Sequence, residues 1–145
     1  MAGSASCTKD IFVYQEVKPD KIYNSAIAMK TQIIIKAGGR TFGGTLADSP
    51  TAGAFRAMLP LEISMTELNA NEKFYRLSKN LPVNPAVPPI IQNGDLMLFG
   101  SNTLVLFYKT FSTSYSYTRI GRINDASELA EVLGSDNITI RFELP

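Results

Sequence analysis

The residues that could do chemistry in this chain are few, because it has no histidine and a single cysteine, Cys7. The missing histidine removes the commonest general base, the commonest metal ligand and every catalytic triad that contains it. One cysteine cannot form an intrachain disulfide, and scattered carboxylates alone make a poor zinc site, so we expect neither a metal nor a cofactor. What remains is a run of hydroxyls around residue 114, with a cationic side chain on either side of it.

The hydroxyl run reads FSTSYSY from Phe111 to Tyr117 and lies between Lys109 and Arg119. As a strand it would place aromatic rings on one side and serines on the other. Hydroxyls beside cations can bind an anionic or peptide ligand, whereas in a rigid loop they would satisfy their own backbone. A serine nucleophile would need a buried lysine as its base, which nothing in the sequence indicates. The candidate ligand-binding residues of this run are Ser114, Tyr115, Tyr117 and Arg119.

Charge and hydropathy exclude two classes of partner. There are 14 basic and 13 acidic residues, and like charges form no long run, so we expect no nucleic-acid or anionic-membrane surface. No apolar run approaches the roughly 20 residues of a membrane-spanning helix, so we expect a soluble protein.

Cys7 after small residues resembles the start of a bacterial lipoprotein whose signal has been removed, which would mean the cell envelope. An incidental cysteine in a frayed tail is the favoured interpretation, and it is compatible with the cytoplasm.

Strands must position these side chains, because most of the chain consists of short β-branched and aromatic segments separated by Gly, Pro and Asn. Joined mainly by hairpins, such strands predict a closed antiparallel barrel, which has no edge strand. The eight predicted strands are Thr31–Lys36, Arg40–Leu46, Leu61–Met65, Glu72–Leu77, Asp95–Phe99, Thr103–Tyr108, Tyr117–Ile123 and Asn137–Phe142.

Two short helices are also predicted. The first covers Thr51–Met58, with Ser49 as its N-cap and Pro50 at its first position. The second is an amphipathic segment, Ala126–Leu133, with Asp125 as its N-cap.

The domain organisation predicted from the sequence is a single barrel domain, residues 30–145, behind a partly flexible tail and extension, residues 1–29. The extension contains a possible strand at 11–17. Within the barrel domain, the polar segment 66–71 is predicted to be a loop. The four prolines between Pro82 and Pro89 predict an extended surface loop.

Four runs of residues carry a resemblance to a known family. They are DSPTA from Asp48, NEKFY from Asn71, GDLMLFG from Gly94 and FYKTFSTSYSYTRIG from Phe107. With the sequence around them they resemble the cyclophilin-like proteins of bacteria and archaea, distant relatives of cyclophilin prolyl isomerases whose function is uncharacterised. The resemblance implies a mainly β fold, a closed eight-stranded antiparallel cyclophilin-like barrel with two short α-helices.

Cyclophilins place a guanidinium beside an apolar proline pocket, where it stabilises the twisted amide of the transition state. Phe74-Tyr75-Arg76 resembles their Phe-x-Arg segment, and Gln92 resembles their pocket glutamine. By the same resemblance Tyr108 would lie at the pocket floor and Tyr117 would replace the pocket histidine. The pocket phenylalanine, methionine and tryptophan have no counterpart, and the proline-rich loop lengthens the segment between Arg76 and Gln92.

The expected function is therefore a binding module that holds a small polar ligand or an extended peptide in a groove between the barrel and the proline-rich loop. The alternatives are a weak or divergent peptidyl-prolyl cis-trans isomerase that uses Arg76, and a structural homo-oligomer such as a homodimer whose interface is the aromatic patch. The candidate ligand-binding residues are Arg76, Gln92, Tyr108, Ser114, Tyr115, Tyr117 and Arg119.

Overall fold

A computed structural model describes residues 31–145. The tail and extension predicted for residues 1–29, with Cys7 and the possible strand, lie outside the described residues. The strands are β1 (Gln32–Ala37), β2 (Arg40–Leu46), β3 (Leu61–Leu68), β4 (Glu72–Arg76), β5 (Asp95–Phe99), β6 (Thr103–Phe107), β7 (Thr118–Ile123) and β8 (Ile138–Glu143). The helices of the described part are α1 (Pro50–Arg56) and α2 (Leu129–Leu133).

The eight strands form one closed barrel in the order β1-β2-β7-β5-β6-β4-β3-β8, with every neighbouring pair antiparallel. The barrel closes because β1 pairs with β2 on one side and with β8 on the other. Closure leaves none of these eight strands with an unpaired edge. The fold predicted from the sequence is thereby confirmed.

The barrel interior is filled by side chains, as strand alternation requires. Leu96 and Leu98 of β5 point inward beside Leu104 and Leu106 of β6, and none of them is more than marginally exposed. Helix α1 closes one opening of the barrel with Phe55, whose ring meets another interior ring edge-on. A ligand site in this small barrel must therefore lie on its outside.

Helix α1 begins as the sequence predicts, because the Ser49 hydroxyl accepts a hydrogen bond of 3.1 Å from the Ala52 N–H and Pro50 occupies the first turn. Helix α2 is shorter than predicted, since it begins at Leu129 rather than Ala126. The Asp125 carboxylate accepts from the Ser127 N–H instead and holds a separate turn before the helix.

The loop predicted for residues 66–71 is wrong. Strand β3 continues to Leu68, because Thr66, Glu67 and Leu68 pair with β4 in a tight hairpin. Asn69 and Ala70 make its turn with positive φ angles of 56° and 55°. The polar composition of the segment has two sources, since Thr66 is exposed and Glu67 bonds to the buried Lys73 and Tyr108.

Strands β2 and β7 approach most closely at Gly121. A Cβ atom there would lie 2.4 Å from the Thr45 carbonyl oxygen and 3.0 Å from the Leu46 Cα. Only glycine avoids both backbone contacts, so this residue fixes how tightly the barrel closes on that side.

Candidate functional site

The outer surface of β4, β5 and β6 is apolar, which is unusual for the solvent side of a barrel. Phe74, Val105 and Met97 lie side by side across the three strands and all face outward. Val105 and Met97 are nevertheless buried, because other parts of the chain cover them. Strands β5 and β6 are thus buried on both faces, which explains their nearly continuous apolar sequences, DLMLF and TLVLF.

The cover consists of two segments, the proline-rich loop before β5 and the hydroxyl run before β7. Backbone hydrogen bonds of 2.9 and 3.0 Å join Ala86 to Tyr117, and bonds of 2.8 and 3.0 Å join Ile91 to Phe111. Both aromatic rings pack on Phe107, with centroid separations of 5.4 and 5.6 Å. The proline-rich segment is a surface loop, as predicted, but it is held at these two points.

The hydroxyl run is therefore not the two-faced strand that alternation would suggest. Residues 109–117 run irregularly across the outer face, and the Thr113 hydroxyl accepts a hydrogen bond from the Tyr115 N–H. This is the loop alternative, in which a hydroxyl satisfies its own backbone. Ser112, Ser114 and Ser116 are exposed.

The cover stops short of one end of the apolar face and leaves an open groove with a volume of about 390 Å³. Its aromatic wall is Phe99 with Tyr115 and Tyr117, whose ring centroids lie 6.2 and 5.7 Å from that of Phe99. Phe99 is 45 % exposed and Tyr115 is 64 % exposed. The lining residues are Leu68, Asn69, Glu72, Phe74, Arg76, Phe99, Thr103, Val105, Tyr115 and Tyr117.

Two charged side chains line this groove, and both come from β4. Glu72 and Arg76 share the outward face with Phe74 between them, because alternate residues of a strand face the same way. Glu72 lies opposite Phe107 and Arg76 lies opposite Thr103 in the β4–β6 register. The groove therefore has an acidic end and a basic end with an apolar floor between them.

Glu72 is 9 % exposed and has no hydrogen-bond or ion-pair partner within residues 31–145. Burial, and secondarily the charge of Glu67, raise the pKa of Glu72 above its ordinary value. Burial and the charge of Glu72 also raise the pKa of Tyr117. Arg76 differs in being exposed, and the described part of the chain offers it no ion pair. Neither Glu72 nor Glu62 forms an ion pair with Arg76.

The structure brings together three of the residues singled out from the sequence, Arg76, Tyr115 and Tyr117, which all line the groove. Gln92 and Arg119 lie elsewhere, in a polar hollow around Asp95. They are separated from Arg76 because the antiparallel register places Arg76 at the Phe99 end of β5, whereas Gln92 and Asp95 are at its start.

The polar hollow is organised by Asp95, which is 2 % exposed. Its carboxylate accepts the Gln92 N–H at 2.8 Å and lies 3.5 Å from the Arg119 guanidinium. Gly94, with a positive φ of 97°, forms the turn that brings Gln92 back toward this carboxylate. The contacts of Asp95 thus shape the entry to β5.

The last two predicted residues have different places. Ser114 is exposed on the hydroxyl run and lines neither the groove nor the polar hollow. Tyr108 is buried, and instead of forming a pocket floor it packs with the barrel interior. Its hydroxyl donates a hydrogen bond of 2.5 Å to the Glu67 carboxylate. That any of the seven residues binds a ligand stays a prediction.

Tyr108 belongs to a polar cluster around Lys73, whose side chain is fully buried. The Lys73 ammonium donates to the Glu67 carboxylate at 2.9 Å and to the carbonyl oxygens of Gly134 and Asp136 at 2.7 Å each. It also lies 5.1 Å from the centre of the Tyr108 ring. Every proton of the ammonium has an acceptor, which is what a buried lysine requires.

The cluster shifts the pKa values of its members. Burial, followed by the hydrogen bond and charge of Glu67, raises the pKa of Tyr108 to about 12. Burial also raises the pKa of Glu67, but hydrogen bonds from Tyr108, Lys73 and the Ala70 N–H outweigh it and leave that pKa below the ordinary value. Sequence reasoning missed this cluster, since a single lysine in the run EKFYR is usually exposed.

Glu72 and Phe99 were also missed, although the sequence carried signals for both. The alternation in EKFYR places Glu72 on the same face as Arg76. The continuous apolar runs of β5 and β6 indicate a second covering layer, whose margin exposes Phe99.

Within residues 31–145 no group of three or more acidic, cysteine or histidine side chains could hold a metal ion. No helix of this part is long and apolar enough to cross a membrane.

A closed eight-stranded antiparallel barrel with two short helices is the architecture of a cyclophilin-like domain. The chain belongs to the cyclophilin-like family, whose model matches residues 35–143. Its structure is similar to the solution structure of a hypothetical protein from Archaeoglobus fulgidus, with a TM-score of 0.54 and 17 % sequence identity over 81 % of this chain and 97 % of that one. This likeness supports the fold. No curated protein matches the chain significantly. The family resemblance inferred from the sequence is confirmed.

Proposed function

We propose that this cyclophilin-like domain is a binding module that holds a small polar ligand or an extended peptide in the groove beside β4. The observation that carries the proposal is the open end of an otherwise covered apolar face. Two aromatic side chains, Phe99 and Tyr115, stay about half exposed there beside the Glu72 carboxylate and the Arg76 guanidinium, which has no ion-pair partner within residues 31–145. Ligand sites commonly combine such apolar walls with a few polar groups.

The apolar wall offers enough surface for measurable binding. A phenylalanine or tyrosine side chain has about 150–250 Å² of surface to bury, and roughly half remains exposed at Phe99 and Tyr115. At about 25 cal/mol per Å², covering the exposed part of each ring contributes roughly 2–3 kcal/mol before the cost of association. Modest affinity for a small ligand is therefore expected from these two rings and the groove floor.

The isomerase alternative has no observation in its favour. A cyclophilin-type pocket would need Gln92 beside Arg76, and Gln92 instead lines the polar hollow at the other end of β5. Tyr108, expected at the floor of that pocket, points into the barrel. The groove floor is made by Phe74, Val105 and Thr103.

The proposal is tested by filling the groove. Thr103 lies outward between Arg76 and Phe99, so Thr103→Trp should block the site. The matched control is Thr139→Trp, which adds the same ring to an exposed position of β8 on another side of the barrel. A library of amino acids, amines, small acids and short peptides is screened against isotope-labelled protein by NMR amide shifts.

We expect compounds that shift the amides around Phe74 and Val105 in the wild type and in Thr139→Trp but not in Thr103→Trp. If no compound shifts these amides, or if Thr103→Trp binds as well as the wild type, the groove is not the site. The homo-oligomer alternative makes a different prediction in size-exclusion chromatography. It requires a dimer that Thr103→Trp converts to a monomer.

A further inference from the structure

Glu72 is a largely buried residue whose carboxylate lines the open groove and has no partner within residues 31–145. Of the acidic side chains in the described part, Glu67, Asp95, Glu128 and Glu143 have a cation within 4 Å. Glu72 has none, although it is more than nine-tenths buried. A buried carboxylate is costly unless it is paired and hydrogen-bonded. Its position in the lining of the groove leaves the open side available to a donor from a ligand.

The surroundings of Glu72 favour an ammonium group as that donor. Phe74 and Tyr117 line the groove beside it. Aromatic faces attract cations, and a carboxylate among them adds a charge-assisted hydrogen bond. An anionic ligand group would be repelled at this end, both by Glu72 and by Glu67 nearby.

Arg76 provides the opposite charge on the same face. A strand rises about 3.3 Å per residue, so the four steps from Glu72 to Arg76 separate their Cα atoms by roughly 13 Å. Arg76 is exposed and unpaired within residues 31–145, which leaves its guanidinium fork free to bind a carboxylate bidentately. Between the two charges the floor consists of Phe74, Val105 and Thr103.

We propose that the groove binds short unblocked peptides, with the terminal ammonium at Glu72, the terminal carboxylate at Arg76 and an apolar side chain on Phe74 and Val105. The proposal rests on the proposed function of the groove and specifies its ligand class. An extended chain spans at most about 3.3–3.6 Å per residue, so a dipeptide covers roughly 7 Å and a tripeptide roughly 10 Å. A hydrogen bond of about 2.9 Å at each end extends the reach to roughly 13 Å for the dipeptide and roughly 16 Å for the tripeptide. These two lengths come closest to the separation of roughly 13 Å between the Cα atoms of Glu72 and Arg76.

The experiment measures the affinity of the full chain for four forms of Ala-Leu-Ala by calorimetry or NMR titration. The forms are free, N-acetylated, C-amidated and blocked at both ends. They are measured on the wild type, Glu72→Gln and Arg76→Gln. Glu62→Gln and Arg122→Gln are the matched controls, because both residues are exposed on strands outside the groove. Free Ala-Leu, Ala-Leu-Ala-Ala and a hexapeptide, Ala-Leu-Ala-Ala-Leu-Ala, test the length.

A hydrogen bond between charged groups contributes about 1.5–3 kcal/mol, so removing one should weaken binding roughly ten- to hundredfold. We expect N-acetylation to cause this loss in the wild type and in Glu62→Gln but to make little difference in Glu72→Gln. C-amidation should cause it in the wild type and in Arg122→Gln but not in Arg76→Gln. The dipeptide and tripeptide should bind more tightly than the tetrapeptide and the hexapeptide.

The comparison of the four peptide forms on the wild-type protein needs no variant, so a folding defect in a variant cannot hide whether the peptide termini are recognised. If the doubly blocked peptide binds the wild type as tightly as the free peptide, or if acetylation costs the same in Glu72→Gln, the terminal recognition is overturned. The groove then remains the binding site provided that Thr103→Trp still abolishes binding. If no peptide form binds the wild type, the peptide proposal fails by itself. The screen of amines and acids then decides separately whether the groove binds anything.

Discussion

Replacing Lys73 with methionine should destabilise the barrel strongly, because the buried ammonium joins Glu67 of β3 to the segment between α2 and β8. Lys73→Met keeps most of the aliphatic stem and removes the charge. The variant loses three hydrogen bonds, to Glu67 and to the carbonyl oxygens of Gly134 and Asp136. The two carbonyls belong to the segment between α2 and β8.

The loss in the free energy of unfolding depends on how far each of the three acceptors is left without a partner. Removing one partner of a fully buried ion pair costs about 3–5 kcal/mol. The Glu67 side chain is 19 % exposed, so water can reach it in part and the ion-pair contribution falls below that range. The carbonyls of Gly134 and Asp136 lose a charged donor, at a further cost of about 1 kcal/mol each. We therefore expect Lys73→Met to lower the free energy of unfolding by about 3–4 kcal/mol.

Urea unfolding, followed by tyrosine fluorescence and circular dichroism, measures the loss. The matched control is Lys79→Met, which removes an exposed lysine after β4 and should change the free energy of unfolding by less than about 0.5 kcal/mol. The slope of the transition should stay unchanged, since the same surface is exposed on unfolding. A Lys73→Met protein within 1 kcal/mol of the wild type would refute the role assigned to this cluster.

The same cluster predicts an acid limit of stability. The pKa of Glu67 lies below its ordinary value in the folded protein, so the ionised form is favoured by folding. The stability that Glu67 contributes is therefore present above its unfolded pKa and is lost as the pH falls through the lower folded pKa. In Lys73→Met this acid-dependent loss should be smaller. Unfolding free energies measured from neutral pH down to about pH 3 compare the two proteins.

Three further outcomes are expected. Burial and Glu67 raise the pKa of Tyr108 to about 12, so absorbance at 295 nm should show an ionisation near pH 12 that Tyr108→Phe lacks. The stability that this hydroxyl contributes should decline between pH 10 and 12, because tyrosine in the unfolded chain ionises at the lower pH. Gly121→Ala should lower the free energy of unfolding by about 3 kcal/mol, since the added Cβ would meet backbone atoms. Gly53→Ala in α1 should raise the free energy of unfolding by about 0.5–1 kcal/mol, because the added Cβ meets nothing within 4 Å; thermal or urea unfolding measures both changes. In a chymotrypsin-coupled assay with X-Pro peptides, we expect the peptides to isomerise at the uncatalysed rate in the presence of either the wild type or Arg76→Ala. If the wild type accelerates isomerisation and Arg76→Ala does not, the groove is more than a binding site.

The local elements of this protein were predictable because short-range chemistry decides them. The hairpin between β5 and β6 follows from two apolar runs around Gly100, which has a positive φ of 60°. Helix α1 follows from Ser49 and Pro50, which satisfy and shape its first turn wherever the helix lies. Local chemistry was insufficient for residues 66–68, which were assigned to a polar loop although they pair with β4 as part of a strand.

The candidate site was only partly predictable, because it depends on which strand ends meet. The sequence indicated Arg76, Tyr115 and Tyr117, and these do line one groove. Gln92 was grouped with Arg76 through a family resemblance. The register of β5 against β6 separates the two residues by the length of a strand.

By itself the sequence determined a histidine-free, mainly β chain, because composition, strand alternation and turn residues act over a few positions at a time. The cyclophilin-like assignment came from the resemblance of four sequence runs to that family. The tertiary structure alone decided where the scarce charges of this chain lie. Closing the barrel brings Lys73 to carbonyl groups 61 and 63 residues further along the chain, and so buries it with all its acceptors. The cover over the outer face buries Glu72 without a partner and leaves Arg76 exposed. These differences in burial and pairing arise from contacts between distant segments. No local pattern in the strand EKFYR therefore distinguishes its buried charged residues from its exposed one.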